Sequence, residues 1–495
     1  MKEINPEELS YTPEIDLDTL KERTIKGIVT LVGRAGILQL VSFLGFFILT
    51  VFLNQSEIGL FFAISELVGI LGYFSDIGLA ASLIQKKEKP TLKEIRSTFT
   101  LQQILVITLV SLIFIFTPWL KNFYHISPQG VWLLWALTIG FFLASLKTIP
   151  SVLLERQLKF EFLVLVEIVE TLTFYLVSGF LAWKGFGVLS YVWAVLLRGI
   201  FGVILIYILF PWKIGIAFDW ESLGRLLKFG IPYQGNSLLA LIKDRLMNVF
   251  LWKIIGTEGV GILGWAQKWS QVPLRFFMEP VMRVTFPAYS RVQENKAELK
   301  KMIEKTLFYV SLLVFPVLTG LVILSKPLVY LIPRYQKWEI GLFALGFFSL
   351  NSAWASVTTP LTNFLAAVGK IKKVFNLMVM WTVLTWIFYP ALGIKFGYNG
   401  IALASALVSF SSLIAILIVK KEIEFSFWKS INKPFFASLL MGILVYLLSF
   451  YVGKTIWGIL ILTIIGCLFY FGLIFLTLRE TFLKEIKNIY SIFRK

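Results

Sequence analysis

The chain consists mostly of long apolar runs separated by short polar connections. A helix rises 1.5 Å per residue and the hydrocarbon layer is about 30 Å thick, so each run of about 20 apolar residues predicts one membrane-spanning helix. The pattern predicts an all-α polytopic membrane protein of about 14 transmembrane helices. Their approximate limits are 28–53, 57–85, 97–117, 130–154, 160–183, 187–209, 229–254, 259–288, 306–331, 339–368, 374–394, 398–419, 435–452 and 456–478.

The composition agrees with this class. Of the 495 residues 57% are hydrophobic and only 15% are charged, which is more apolar than a soluble core can hide. The single histidine, His125, and the single cysteine, Cys467, exclude a His/Cys metal cluster, a Cys–His dyad and an internal disulfide. Most metalloenzyme and thiol chemistries are thereby excluded, and we expect no catalytic residues, no metal and no cofactor.

The distribution of Lys and Arg predicts how the chain is oriented. Of 47 such residues, 31 fall in the N-terminal segment, the alternate connections and the C-terminal tail, and only 6 fall in the opposite connections. Because basic residues collect on the cytoplasmic side, both termini are predicted to be cytoplasmic, in a multi-pass protein of the cytoplasmic (plasma or inner) membrane. This topology explains the net charge of +18 better than nucleic-acid binding, which we do not expect.

A weak internal repeat appears when the chain is shifted by 202 residues. The shift places residues 57–59 on 259–261, and Glu66 in register with Lys268. Each half has six spans, so both enter the membrane in the same direction, which predicts two six-helix lobes related by a pseudo-twofold axis along the membrane normal. Glu66 and Lys268 are expected to meet across that axis.

This repeat predicts the domain organisation, with two C-terminal helices beyond the lobes. The segments are a cytoplasmic N-terminal segment 1–27, an N-lobe 28–209, a cytoplasmic inter-lobe linker 210–228, a C-lobe 229–419, a cytoplasmic loop 420–434, the last two spans 435–478 and a cytoplasmic tail 479–495.

Ionisable residues lie inside several spans, where they are costly unless they face protein or water. Residues 229–291 predict a helical hairpin, and its two helices carry Lys243, Asp244, Arg245, Lys268, Arg275 and Glu279. At 100° per residue, Lys268, Arg275 and Glu279 fall on one face. Arg34 adds a cation to span 1, and no partner at matching depth is evident for Arg34, Arg245 or Arg275.

Structural roles are the alternative for these charges. Depth in adjacent spans predicts ion pairs of Lys147 with Glu167 and of Glu170 with Arg198. Asp244 and Lys268 form either a structural pair or a ligand contact. Asp76 lies near the cytoplasmic interface, where its segment ends a helix or contacts a substrate. Trp265 and Trp269 serve either packing and the interface belts or glycan stacking.

Several short motifs resemble one known family. FSDIG at residues 74–78, FGIP at 229–232, IIGTEGVG at 254–261 and VTFPAYSR at 284–291 occur in the order found in the polysaccharide-transporter, or oligosaccharide flippase, family of the multidrug/oligosaccharidyl-lipid/polysaccharide exporter superfamily. The chain is similar to the lipopolysaccharide and colanic-acid exporter branch. Leu263 departs from the pattern, because an aromatic residue is expected there.

The resemblance implies translocation of a polyprenyl-diphosphate-linked oligosaccharide by alternating access, through a polar cationic cavity between the lobes. Its partners would be membrane lipid, the lipid-linked oligosaccharide and polysaccharide-assembly machinery. Arginine suits a diphosphate because its planar fork binds two phosphate oxygens. The diphosphate candidates are Arg34, Arg245, Arg275, Lys243 and Lys268, and the carboxylates for the cavity or for coupling to a proton or sodium ion are Glu66, Asp244, Glu279 and Asp76.

Two other functions remain open at this point. A cation-coupled multidrug antiporter of the same superfamily would need acidic residues in the cavity rather than cations. A membrane-embedded glycan polymerase or ligase would need reactive groups at the external surface, where the connections are short.

Overall fold

The computed structural model describes residues 17–493 except 87, 236–237 and 454. The side chains of residues 17–32, 34–35, 229, 232–233, 235, 240 and 478–493 are outside this description. Most of the predicted N-terminal segment is therefore also outside it. Contacts divide the chain into two units, Met1–Gly261 and Ile262–Lys495, and each is considered by itself.

In its described part the first unit is built from helices alone. They are α1 Leu17–Phe52, α2 Gln55–Phe74, α3 Leu79–Gln85, α4 Leu92–Tyr124, α5 Pro128–Leu146, α6 Thr148–Arg156, α7 Phe160–Trp183, α8 Leu189–Leu209, α9 Trp220–Gly235 and the first part of α10 Met247–Pro273. A π-helical turn, Leu241–Leu246, precedes α10. The predicted second span ends earlier than expected, because the helix stops at Phe74 and α3 is separate.

Local capping explains where several of these helices begin. The Asn54 side chain accepts from the Glu57 amide while the Glu57 carboxylate accepts from the Asn54 amide, both at 2.8 Å, so α2 starts with a capping box. Thr91 and Glu94 form the same arrangement before α4. Ser127 caps α5, which has Pro128 in its first turn.

The second unit continues α10 and is also helical throughout its described part. After the π-helical turn Leu274–Met278 come α11 Glu279–Arg291, α12 Lys296–Leu331, the 3₁₀ turn Gln336–Gly341, α13 Leu342–Ala367, α14 Ile371–Phe410, α15 Leu413–Glu422, α16 Phe427–Val452 and α17 Ile456–Phe493. Only residues 292–295 separate α11 from α12, so the first turns of α12 precede the predicted span that begins at residue 306.

The described residues contain ten helices long and apolar enough to cross a membrane. Two of them, Leu241–Arg291 and Ile371–Glu422, have 51 and 52 residues, about twice the length that one crossing needs. Each therefore holds two crossings. With the apolar stretch Gly36–Phe52 of α1 and the 24-residue α7, the fold accounts for the fourteen predicted crossings.

A glycine separates the two crossings in each double helix. Gly256 has φ 66° and ψ −178°, and Gly397 has φ 60° and ψ −144°, in the middle of otherwise helical backbone. Other residues adopt such positive φ angles only with strain, so glycine allows the chain to turn without an exposed loop. These breaks fall at the predicted ends of spans 7 and 11.

Two glycines bring helices of the first unit into direct backbone contact. A Cβ on Gly59 would overlap the carbonyl of Thr257, and a Cβ on Gly261 would overlap the carbonyl of Gln55. Ser56 and Thr257 share a hydrogen bond of 2.6 Å at the same crossing. Gly59 and Gly261 are 202 residues apart, so positions equivalent in the predicted repeat touch each other. The lobe limits themselves remain a prediction.

In the second unit, α11 is held by one buried aromatic residue. Tyr289, from the VTFPAYSR motif, is fully buried and donates to the Thr306 hydroxyl at 2.8 Å. Its ring meets Phe364 edge-on at 5.7 Å between centroids, and the surrounding core includes Leu307 and Leu361. This part of the family motif therefore has a packing role.

The Gly59 crossing predicts a position-specific loss of stability. Gly59→Ala places a methyl group against the Thr257 carbonyl, and overpacking of this kind costs about 1–3 kcal/mol. We expect a lower melting temperature of the purified protein in detergent. The matched control is Gly72→Ala on the same helix, where an added Cβ has nothing within 4 Å. Equal melting temperatures for the two variants would contradict the contact.

Candidate functional site

The two arginines predicted from the hairpin both lie on π-helical turns. Arg245 belongs to the turn Leu241–Leu246, together with Lys243 and Asp244, and Arg275 belongs to the turn Leu274–Met278. Pro273 precedes the second turn, where its missing amide interrupts α-helical hydrogen bonding. A π-helical turn bonds i to i+5, is rare, and occurs frequently at functional sites. The periodicity of the sequence does not reveal it.

Arg245 forms an ion pair with Glu66 across two helices of the first unit. The guanidinium Nη1 lies 3.2 Å from Glu66 Oε2, and the two side chains keep 45% and 32% of their surface exposed. Asn248 is within hydrogen-bonding reach of Glu66, and Asp244 is close enough to act on it electrostatically. Arg245 also crosses over Gly69, because a Cβ there would overlap its guanidinium.

This pair corrects one expectation: Arg245 was expected to have no partner at its depth, and Glu66 is its partner. Register placed Glu66 opposite Lys268, and a contact between those two charges stays a prediction. Depth along separate helices does not determine which faces meet, and the π-helical turn also rotates the residues that follow it. Gly69, whose lack of a side chain admits the guanidinium, was not recognised in the sequence.

The other charges of this turn are weakly held. Lys243 Nζ lies 3.5 Å from Asp244 Oδ1, and the Asp244 side chain is 63% exposed. An ion pair between neighbouring residues at such exposure contributes little to stability. Both groups therefore remain available to a ligand.

In the second unit, Lys268 and Arg275 are half-buried and close enough to interact as like charges. Arg275 Nη2 donates to Gln271 Oε1 at 3.2 Å, a neutral partner that leaves the charge of the guanidinium uncompensated by this contact. Glu279, expected on the same face, is exposed and lies beyond the π-helical turn. The value of 100° per residue does not hold across residues 274–278, so the shared face of these three residues stays a prediction.

Asp76 has a local structural role in the fold. Both of its carboxylate oxygens accept from the Ala80 amide at 3.1 Å, in the first turn of α3. Asp76 belongs to the FSDIG segment, residues 74–78, and α2 ends at the first residue of that segment, Phe74. The side chain of Arg34 is outside the described residues, and its assignment stays a prediction.

Residues predicted for structural ion pairs are found in a different pairing. Lys147 contacts Glu170, the carboxylate that depth had assigned to Arg198. Glu170 also lies against the backbone of Gly202 on α8, which brings it beside the lysine. Trp265 is a packing residue: it is 2% exposed, stacks on Trp338 at 5.1 Å and donates to Tyr335 at 3.0 Å. It is therefore not an exposed glycan platform.

The FSDIG and FGIP motifs meet each other in the fold. Gly78 and Gly230 lie in backbone contact, although they are 152 residues apart in the chain. Beside them the Tyr73 hydroxyl donates to the Gln234 carbonyl, and the Gln234 amide donates to the Tyr73 carbonyl, both at 2.6 Å. Ser82 on α3 donates to the Leu226 carbonyl at 2.8 Å. These contacts fix α9 to the end of α2, and sequence reasoning did not identify Tyr73, Ser82 or Gln234.

The described residues contain no group of three or more His, Cys, Asp and Glu side chains placed to hold a metal ion. The polar groups that the fold brings together inside the spans are cations, carboxylates and amides. Such a set can bind an anion or a small cation through charge and hydrogen bonds.

In the part of the chain that the structure describes, the long apolar helices and the ionisable residues within them define an all-helical, polytopic membrane protein. A family model described as "Polysaccharide biosynthesis protein" matches residues 48–339, more than half of the chain, and the chain belongs to this family. The resemblance drawn from the motifs is confirmed.

Two curated relatives align over most of the chain. The lipopolysaccharide biosynthesis protein WzxC of Escherichia coli (strain K12) is 24% identical over 85% of this chain and 86% of its own length. The teichuronic acid biosynthesis protein TuaB of Bacillus subtilis (strain 168) is 23% identical over 75% of this chain and 77% of its own.

Solved structures share the fold. The lipid II flippase MurJ, in an inward closed conformation, superposes with a TM-score of 0.73 at 18% identity, covering 92% of this chain and all of that one. An inward-facing multidrug resistance transporter of the MATE family gives a TM-score of 0.56 at 17% identity, covering 79% of this chain and 98% of that one. At these identities the likeness concerns the fold alone.

The Glu66–Arg245 pair predicts energetic coupling between two helices. Glu66→Ala and Arg245→Ala should each lower the free energy of unfolding, because each single change leaves one charge in the membrane without its partner. The double variant removes both charges, so its loss should be smaller than the sum of the two single losses. We expect a coupling of about 0.5–3 kcal/mol in a double-mutant cycle measured from unfolding in detergent. The cycle of Lys243→Ala with Asp244→Ala is the control, and its coupling should be close to zero. Equal coupling in both cycles would contradict the structural role of the pair.

Proposed function

We propose that this protein is a flippase that moves a polyprenyl-diphosphate-linked oligosaccharide across the cytoplasmic membrane by alternating access, for surface polysaccharide biosynthesis. It works without a chemical step, and its termini lie in the cytoplasm. Membership of the polysaccharide biosynthesis family supports the pathway, and the fold shared with a lipid II flippase supports the activity.

One observation in the structure supports the chemistry most directly. Arg245 lies within a membrane-length apolar helix, yet 45% of its side chain is exposed beside Glu66. A half-exposed guanidinium in hydrocarbon is strongly unfavourable, so the group faces a polar space. A diphosphate crossing the membrane requires cations of this kind, and the fork of arginine can bind two of its oxygens.

Glu66 would keep Arg245 compensated while the site is empty. The diphosphate then replaces the carboxylate as the acceptor for the guanidinium, so no step leaves Arg245 alone in a medium of low dielectric constant. Because the carboxylate must be displaced, binding is weaker than an unpaired arginine would give. This permits release on the other side of the membrane. Arg275, whose described partner is the neutral Gln271, needs no such displacement.

The export prediction tests this assignment. Arg245→Ala and Arg275→Ala each remove charged hydrogen bonds worth about 1.5–3 kcal/mol, so substrate binding should weaken about 10- to 100-fold. We expect loss of surface polysaccharide in cells that carry the variant as the sole copy, with unchanged protein in the membrane. Arg34→Ala is expected to behave in the same way.

A matched control and an in vitro assay complete this test. Arg291→Ala removes an exposed arginine at the end of α11 and should leave export unchanged. Arg245→Lys keeps the charge without the fork and should have intermediate activity. Flipping of a labelled polyprenyl-diphosphate saccharide by the purified protein in liposomes measures the activity directly. Full export by all three alanine variants would contradict the assignment of these arginines to the diphosphate.

The MATE-like fold favours one second candidate, a cation-coupled multidrug antiporter. In that case the carboxylates Glu66 and Asp244 would bind a cationic substrate, and Arg245 beside them would oppose it. We expect no efflux of a cationic dye from cells that overproduce the protein. Efflux that disappears in both Glu66→Gln and Asp244→Asn would support the antiporter, and polymer formed by the purified protein would support an enzyme.

A further inference from the structure

The segment between α8 and α9 carries a row of exposed apolar side chains. Residues 211–219 have neither helical nor strand hydrogen bonding, and side chains alternate along them. Ile214, Ile216 and Phe218 are 57%, 90% and 43% exposed, and Trp220, at the start of α9, is 74% exposed. We call these four residues the apolar row. Gly215, Ala217 and Asp219, which alternate with them, are half-buried.

The side opposite the apolar row is fixed to α4. Gly215 packs against the Arg96 guanidinium, and the Ala217 amide donates to the Thr100 hydroxyl at 3.2 Å. Asp219 lies 3.8 Å from Lys93 Nζ and accepts from the Ser222 hydroxyl at 2.8 Å. The Ser222 hydrogen bond, with Lys93 nearby, holds the pKa of Asp219 below its ordinary value. From Ile214 to Trp220 the segment therefore presents its apolar side outward, and Lys213, immediately before the row, is also exposed.

The contacts with α4 also give the depth of the segment. Thr100 lies three residues inside the apolar stretch that begins at about residue 97, which is about 5 Å along the helix. Trp212 is buried against Phe99, with the ring centroids 5.2 Å apart. The segment therefore lies beside the start of the apolar stretch of α4 and does not project away from the helix.

The exposed surface of α8 leads directly to the apolar row. Ile204 and Ile208, on the last turns of α8, are 48% and 56% exposed, as expected for side chains that face lipid. The chain leaves α8 at Leu209, and the row begins five residues later. The lipid-facing surface and the row are therefore continuous in sequence and similar in depth.

We propose that the apolar row inserts into the interfacial layer of the lipid leaflet on the linker side, and anchors the linker to the membrane surface. Removing large apolar side chains from water is favourable, and four such residues left in water would lose that stabilisation. Tryptophan prefers the membrane–water interface, where its ring is apolar and its N–H is polar. The predicted topology makes this the cytoplasmic leaflet. The inference does not depend on the transported substrate.

The single cysteine of the chain makes a direct test possible. In a Cys467→Ser background, Ile216→Cys is labelled with an environment-sensitive nitrobenzoxadiazole fluorophore, and the protein is placed in phospholipid nanodiscs. The matched control is Glu221→Cys, five residues further on, whose native side chain is 83% exposed and forms an ion pair with Arg225. Phe218→Cys provides a second, independent position in the row.

We expect the label at residues 216 and 218 to emit at shorter wavelength than at 221. It should lose most of its emission when the nanodisc contains phospholipid brominated near the glycerol end of its acyl chains. At residue 221, aqueous iodide should quench the label and brominated lipid should not. Monodisperse elution and complete labelling verify that each variant is folded.

Two results would overturn the proposal. If iodide quenches residues 216 and 218 as strongly as residue 221, the row faces water. If neither iodide nor brominated lipid quenches them, a protein surface covers the row, and this would assign it to a second copy or another partner instead of lipid.

Discussion

The cost of a charge inside a membrane-length helix is the constraint on which the structure depends most. Arg245 can occupy its position only because Glu66 lies 3.2 Å away on α2 and because Gly69 leaves room for the guanidinium. These requirements fix how α2 meets the π-helical turn that carries Arg245. Lys147 with Glu170 imposes a similar requirement on α7 and the end of α5, so ion pairs determine helix neighbours that apolar side chains alone would leave interchangeable.

Much of the fold was predictable from the sequence, and the pairing of charges was not. The lengths of the apolar runs predicted the crossings, and Gly256 and Gly397 lie where two of the predicted spans end. Those signals are local. Which faces meet is not local. Glu170 was assigned to Arg198 from depth and contacts Lys147 instead, and Arg245, for which no partner was expected, pairs with Glu66. The π-helical turns add to the difficulty, because a helical wheel with constant rotation gives the wrong phase beyond them.

The motifs that identify the family are explained largely by packing. FSDIG and FGIP contribute Gly78 and Gly230 to one backbone contact, and VTFPAYSR contributes the buried Tyr289. Such residues report the fold, which flippases and drug transporters share, and they do not report the substrate. Discrimination between substrates must come from charges exposed within the spans. In the proposed function Arg245 and Arg275 would favour an anion, and the Asp76 carboxylate already accepts a hydrogen bond from the Ala80 amide.

The linker, residues 210–228, joins the apolar row to the helices that carry the Glu66–Arg245 ion pair. Its first part lies along α4, with the apolar row directed outward, and α9 is then held to the end of α2 by the reciprocal hydrogen bonds of Tyr73 and Gln234. Tyr73 and Glu66 are on the same helix, two turns apart, and the chain beyond α9 leads to Arg245. A displacement of α9 would therefore act on both partners of the ion pair, on Glu66 through α2 and on Arg245 through the backbone. If the apolar row anchors the segment before α9 at the membrane surface, that segment would stay at constant depth. The helices beyond α9 would then move relative to a fixed point of the chain.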